Sequence, residues 1–179
     1  MPEIATSERI EGVKIVTLTP FADERGRFLE TFRKEWFPER PWNNVQGNRS
    51  DSKKGVLRGL HFHHHQIDYW TLLAGRVRVG LYDLRASSPT RGRGQMLEMT
   101  ADEPRGVFIP VGVAHGFLAL EDSTLTYVVD NYYDAGDEHG VAWNDREIGL
   151  DWGIEAPILS PRDRNNRPLA ELDPGLLPL

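Results

Sequence analysis

The chain has 179 residues, 39% of them hydrophobic and 27% charged, with a formal net charge of -6 and no cysteine. That length suits a domain with a real core, and the acidic balance argues against nucleic acid or an anionic membrane surface as a partner. Without cysteine there is no disulfide and no thiol catalysis, and with no apolar leader or membrane-length run a cytoplasmic protein is expected.

In chain order, the first local signal is a short helix over 33–37. Residues 57–65, Leu-Arg-Gly-Leu-His-Phe-His-His-His, then hold four of the six histidines beside an arginine suited to an anion. Histidine both moves protons near neutral pH and binds metals, so the cluster proposes either chemistry. Over 72–84, Val77, Val79 and Leu81 recur at period two after a turn at Gly75, which predicts a strand. Val107-Phe108-Ile109 is a further strand, ended by Pro110-Val111-Gly112. Residues 117–120 and 125–131, separated by Glu121-Asp122-Ser123-Thr124, predict a hairpin. The tail from Pro161 is expected to wrap the surface as irregular chain. Short strands at this spacing predict one all-β domain over 1–179, a sandwich or barrel with irregular N- and C-terminal extensions.

Strand alternation then groups the polar residues. Residues 125, 127 and 129 share a face, so Tyr127 turns inward if that face lines the interior. His61 and His63 share a face and His64 points away. His115 follows the Pro110-Val111-Gly112 turn, at the mouth or wall of the barrel.

Several collinear motifs resemble one family. These are Asp23-Glu24-Arg25-Gly26-Arg27-Phe28-Leu29-Glu30, Gly55-Val56-Leu57-Arg58-Gly59-Leu60-His61-Phe62, Asp83-Leu84-Arg85-Ala86-Ser87-Ser88-Pro89-Thr90 and Ile109-Pro110-Val111-Gly112-Val113-Ala114-His115-Gly116-Phe117. Asn131-Tyr132-Tyr133, Trp143-Asn144-Asp145 and Leu159-Ser160-Pro161-Arg162-Asp163 complete the set. Together they resemble the dTDP-4-dehydrorhamnose 3,5-epimerases. The resemblance implies a cupin-type jelly-roll β-barrel, a homodimer, no cofactor, and a nucleotide-linked 4-keto-6-deoxy sugar as substrate.

The implied chemistry follows from the substrate. Protons on C3 and C5 are α to the C4 carbonyl, so inversion needs a base, a stabilised enolate and an acid on the opposite face. By resemblance His61 is the base, Asp163 the carboxylate that orients it, and Tyr127 the acid. Arg25, Glu30, Gln46, Asn48, Arg58, His115, Tyr133 and Glu138 fall at substrate-binding positions, Arg58 at the pyrophosphate and Tyr133 stacked on the base. A single-centre epimerase and a catalytically lapsed nucleotide-sugar binding protein are the neighbouring readings.

One position departs from the pattern. The family carries a lysine seven residues before the glycine matching Gly75, near the sugar C4 oxygen, and this chain has Asp68 there. An anion replaces a cation that could stabilise the enolate. Asp68 is expected to hydrogen-bond a sugar of different hydroxyl or amino pattern. The alternative is a cupin-like metal set of His61, His63, Asp68 and His115, since three imidazoles and a carboxylate suit Fe, Mn, Zn or Ni.

Overall fold

The computed structural model describes residues 2–179. Two antiparallel sheets carry the fold. The larger is ordered β1 (Glu3–Thr6), β2 (Lys14–Thr17), β10 (Arg105–Ile109), β7 (Asp68–Ala74), β12 (Ser123–Val129) and β5 (Gln46–Ser52). The smaller is ordered β13 (His139–Gly140), β6 (Leu57–Phe62), β11 (Val113–Ala119), β8 (Arg76–Asp83) and β9 (Gly94–Thr100). A separate ribbon pairs β3 (Phe21–Asp23) with β4 (Gly26–Phe28).

The sheets pack face to face because each strand turns alternate side chains inward. Leu72, Val107, Ile109 and Leu125 from the larger sheet meet Val77, Val79, Leu81 and Val113 from the smaller in one buried cluster. Each such side chain contributes about 1.5–3 kcal/mol when fully buried. The result is the all-β jelly roll that the resemblance implied, with Val77, Val79 and Leu81 inward as their period-two spacing requires. Gly75 ends β7 with φ +78°, and a β-carbon there would lie 2.3 Å from the Asp122 carbonyl oxygen.

Four local expectations change. Residues 117–120 and 125–131 do not form a hairpin, because β11 pairs with β6 and β8 whereas β12 pairs with β5 and β7. The polar connection crosses between the sheets, held by Leu120 and Glu121 N–H donating to the Arg76 carbonyl. A short polar turn between apolar strands looks the same in either case, and the partner strands decide. Second, the N-terminal extension is not irregular, since β1 and β2 join the larger sheet. Third, the tail contains an α-helix, α1 (Pro161–Asn165). Ser160 caps it by accepting from Asp163 N–H at 3.0 Å, and Pro161 takes the first helical position. That Ser-Pro-x-Asp signature was readable in the sequence. The helix expected over 33–37 is a single 3-10 turn, Lys34–Trp36, with Trp36 buried.

Candidate active site

A cavity of about 330 Å³ lies between the sheets. Trp70, Phe117 and Leu125 supply apolar wall, while His61, His63, Asp68, His115, Tyr127 and Asp163 bring polar groups to it. Opposite sheets contribute these groups. His61 and His115 stand on paired strands β6 and β11, directly across from each other. Tyr127 and Asp68 stand on β12 and β7 of the other sheet. The close pairing of β6 with β11 depends on glycine, because a β-carbon on Gly59 (φ +125°) would lie 2.6 Å from the Gly116 Cα.

His61 Nε2 lies 2.5 Å from Asp163 Oδ1. Burial raises the Asp163 pKa, but hydrogen bonds from His61, Ser160 and the Gly59 N–H outweigh it and hold the carboxyl below its ordinary value. An ionised carboxylate only accepts, so His61 Nε2–H donates and Nδ1 keeps the lone pair. This is the His–Asp geometry of a general base whose tautomer is set by its partner. The Tyr127 phenol is pushed up by burial, and further by the nearby charges of Asp68 and Glu138, so it stays protonated.

A second cluster sits beside this pair. His63 Nδ1 is 2.8 Å from the Asp137 carbonyl and His115 Nδ1 is 2.9 Å from the Val113 carbonyl. Carbonyls only accept, so both Nδ1 atoms carry the hydrogen, and in the neutral rings both Nε2 atoms carry lone pairs. These Nε2 atoms face the buried Asp68 carboxylate at 3.9 and 3.8 Å, beyond hydrogen-bond reach. Burial pushes the His115 pKa down to about 4, keeping that ring neutral at pH 7. One donor atom from each of His63, Asp68 and His115 falls within 4.8 Å of the others. His61 is not part of this set, which corrects the four-residue metal alternative, because Asp163 engages its ring instead.

The remaining expected residues divide by location. Arg58, Tyr133 and Glu138 line the cavity. Arg58 Nε donates to Ser52 Oγ at 3.0 Å, and Glu138 pairs with Arg162 at 2.5 Å. Gln46 and Asn48 bond each other outside the cavity lining, and Gln46 accepts from the Tyr133 N–H at 3.0 Å, so they flank it. Arg25 and Glu30 are not brought to the cavity. Arg25 projects from the β3–β4 ribbon, 84% exposed and bonded to Asp23, and Glu30 pairs with Arg33. Arg162 and Trp70 line the site although sequence reasoning gave them no site role. For Arg162 the neighbouring Asp163 was a signal. For Trp70 nothing local pointed inward.

Comparison with known proteins agrees with this architecture. Residues 7–171 match the family described as dTDP-4-dehydrorhamnose 3,5-epimerase. A dTDP-4-dehydrorhamnose 3-epimerase of Streptomyces niveus is 41% identical over 177 residues, covering 94% of this chain and 86% of that protein. A dTDP-4-dehydrorhamnose 3,5-epimerase of Shigella flexneri is 38% identical, covering 86% of this chain and 88% of that one. Among solved structures, a 4-keto-6-deoxy sugar epimerase from the novobiocin biosynthetic gene cluster of Streptomyces spheroides superposes with a TM-score of 0.91 at 39% identity, covering 99% of this chain and 93% of that chain. With similarity running through nearly the whole chain and a His–Asp pair facing a tyrosine-bearing sheet, the protein belongs to the dTDP-4-dehydrorhamnose 3,5-epimerase family.

Proposed function

We propose that this protein is an isomerase that epimerises a dTDP-linked 4-keto-6-deoxy sugar at C3, C5 or both. The observation that carries the reading is the His61–Asp163 pair on one side of the cavity with the Tyr127 phenol arriving from the other sheet. His61 Nδ1 takes the proton α to the C4 carbonyl, and the C–H electron pair moves into the enolate, placing charge on the carbonyl oxygen. Asp163 stabilises the resulting imidazolium. Tyr127 returns a proton to the carbon from the opposite face, which inverts the centre. Arg58 and Arg162 supply cationic surface for the diphosphate, which an acidic protein must provide locally. Exposed Tyr133 offers a ring for the base.

A homodimer fits the same reading. Phe21 and Phe28 on the β3–β4 ribbon are 63% and 67% exposed, and β1 is an exposed edge strand. Docking the ribbon against a second copy would cover both rings and is the route by which Arg25 could reach a ligand.

Incubation with dTDP-4-keto-6-deoxyglucose in deuterated water, read by NMR, tests the reaction. Label at C3, C5 or both is expected, and a folded wild-type protein that labels neither carbon sinks the reading. His61→Ala should lower exchange by roughly two to four orders of magnitude. Tyr127→Phe should still exchange the proton while failing to invert the centre, so equal loss of both would remove Tyr127 as the acid.

A further inference from the structure

We propose that His63, Asp68 and His115 form a three-ligand site for a divalent transition-metal ion, with its remaining coordination positions open to the cavity. The departure of Asp68 from the family's lysine acquires a physical reason in this way. A metal here departs from the absence of a cofactor that the family resemblance implies.

Two imidazole Nε2 lone pairs and a carboxylate meet, and in the neutral rings all three are acceptors with no hydrogen among them. Such a set is unfavourable in a buried place unless a cation completes it. Asp68 is 4% exposed, and among the described residues its carboxylate meets no lysine or arginine within 4.0 Å. The other two cavity carboxylates are already matched, Glu138 by Arg162 and Asp163 by His61.

The surroundings of the three side chains are those of metal ligands. Each histidine donates its far ring N–H to a backbone carbonyl, which fixes the ring and aims Nε2. The Asp137 carboxylate also accepts from His64 and His65 N–H at 2.7 and 3.1 Å, clamping the loop that carries His63. Asp68 Oδ1 and Oδ2 each accept one bond, from Gln66 at 3.0 Å and Trp70 at 2.9 Å, so each oxygen retains a lone pair. His63 Nε2 stands 3.9 Å from Asp68 Oδ1 and His115 Nε2 3.8 Å from Oδ2, and one donor atom from each residue lies within 4.8 Å of the others. Bonds of about 2.0–2.2 Å place neighbouring ligand atoms about 3–3.5 Å apart, so binding draws the three side chains together by up to about an ångström or slightly more. Two imidazoles with one carboxylate select Zn, Fe, Mn, Co or Ni over Mg or Ca.

The role of the ion rests on the proposed epimerase reading. A cation there would offset charge developing on the sugar carbonyl oxygen, the task that the substituted lysine position no longer performs.

The test uses untagged full-length protein, stripped with a chelator and titrated with Co²⁺, read by its visible d–d bands and by displacement with Zn²⁺. About one Co²⁺ per chain is expected. His63→Gln, His115→Gln and Asp68→Asn, each checked for fold by circular dichroism, should weaken binding by roughly 100-fold or more, since losing even a group that only hydrogen-bonds a ligand costs about 10–100-fold. His64→Gln should bind like wild type, and so should His61→Gln. Wild-type protein that shows no d–d band, or a band that survives in the folded His63 and Asp68 variants, overturns the site. Deuterium exchange on the same samples should fall at least about tenfold on stripping and return with metal. Exchange indifferent to stripping overturns the catalytic role. Stoichiometric Co²⁺ at these residues with no exchange under any condition leaves the site standing and removes the epimerase reading instead.

Discussion

Asp68 and Asp83 are both buried aspartates, on consecutive strands, and their surroundings differ in kind. Asp83 closes β8 with no exposure and accepts from Arg85 Nε and Nη2 at 2.8 Å each, from Ser88 Oγ at 2.6 Å and from Thr90 Oγ1 at 2.7 Å. Burial alone would raise its pKa, but these bonds prevail and bring it down to about 2. Asp68 opens β7 with two neutral donors, Gln66 and Trp70, and two imidazoles held just out of reach. A buried carboxylate saturated by a guanidinium and two hydroxyls has nothing left to offer a ligand. One that lacks a cation, and lines a cavity, keeps its capacity for one. The donors facing a carboxylate, rather than its burial, separate an aspartate saturated by its own fold from one that keeps acceptor capacity for a ligand.

The largest effect expected is at the saturated site. Asp83→Ala strands the Arg85 charge and should cost about 3–5 kcal/mol of stability by urea unfolding. Co²⁺ binding and exchange per folded molecule should stay unchanged. A loss below about 1 kcal/mol would break the comparison on this side.

The pH dependence sharpens the same point. Asp83 has a folded pKa near 2 against an ordinary 3.8. Its stabilisation is therefore full above 3.8 and is lost as pH falls from 3.8 through about 2. Asp83→Asn should erase this part of the acid limb, on the order of 2 kcal/mol. An unfolding profile that keeps the same slope in that window without Asp83 would rule it out as the source.

Asp163 lies between the two cases, positioned by a helix cap and used by a ring. Ser160→Ala should cost about 1 kcal/mol through the lost cap. Because the same hydroxyl holds Asp163 in place, the pH profile of exchange should shift along with the stability. A stability loss with an unmoved profile would make Ser160 a cap only.

The smallest effect is expected at Asp68 itself. Asp68→Asn in metal-free protein should change stability by less than about 1 kcal/mol, or stabilise it, since a buried charge without a cation is removed. Equal destabilisation at Asp68 and Asp83 would erase the distinction between them.

Much of this was legible in the residues. Period-two runs through Val77, Val79 and Leu81 specify an inward face, because strand alternation is a local property of the pleat. The inward turn of Tyr127 follows from the same rule. Ser160 and Pro161 carry the cap signature of α1, which the expectation of an irregular tail passed over although capping acts over only three residues. Pairing and aim were not local. Asp163 meets His61 across 102 residues, and the Asp137 carbonyl that sets the His63 tautomer is 74 residues away. The choice of sheet for β12 likewise depended on β5 and β7, which no turn sequence encodes. The sequence by itself determined which side chains could do chemistry and which way each strand faced. Only the tertiary structure decided that His61 joins Asp163 while His63 and His115 turn Nε2 toward Asp68, because a hydrogen-bond partner is chosen by distance in space and the fold alone sets that distance.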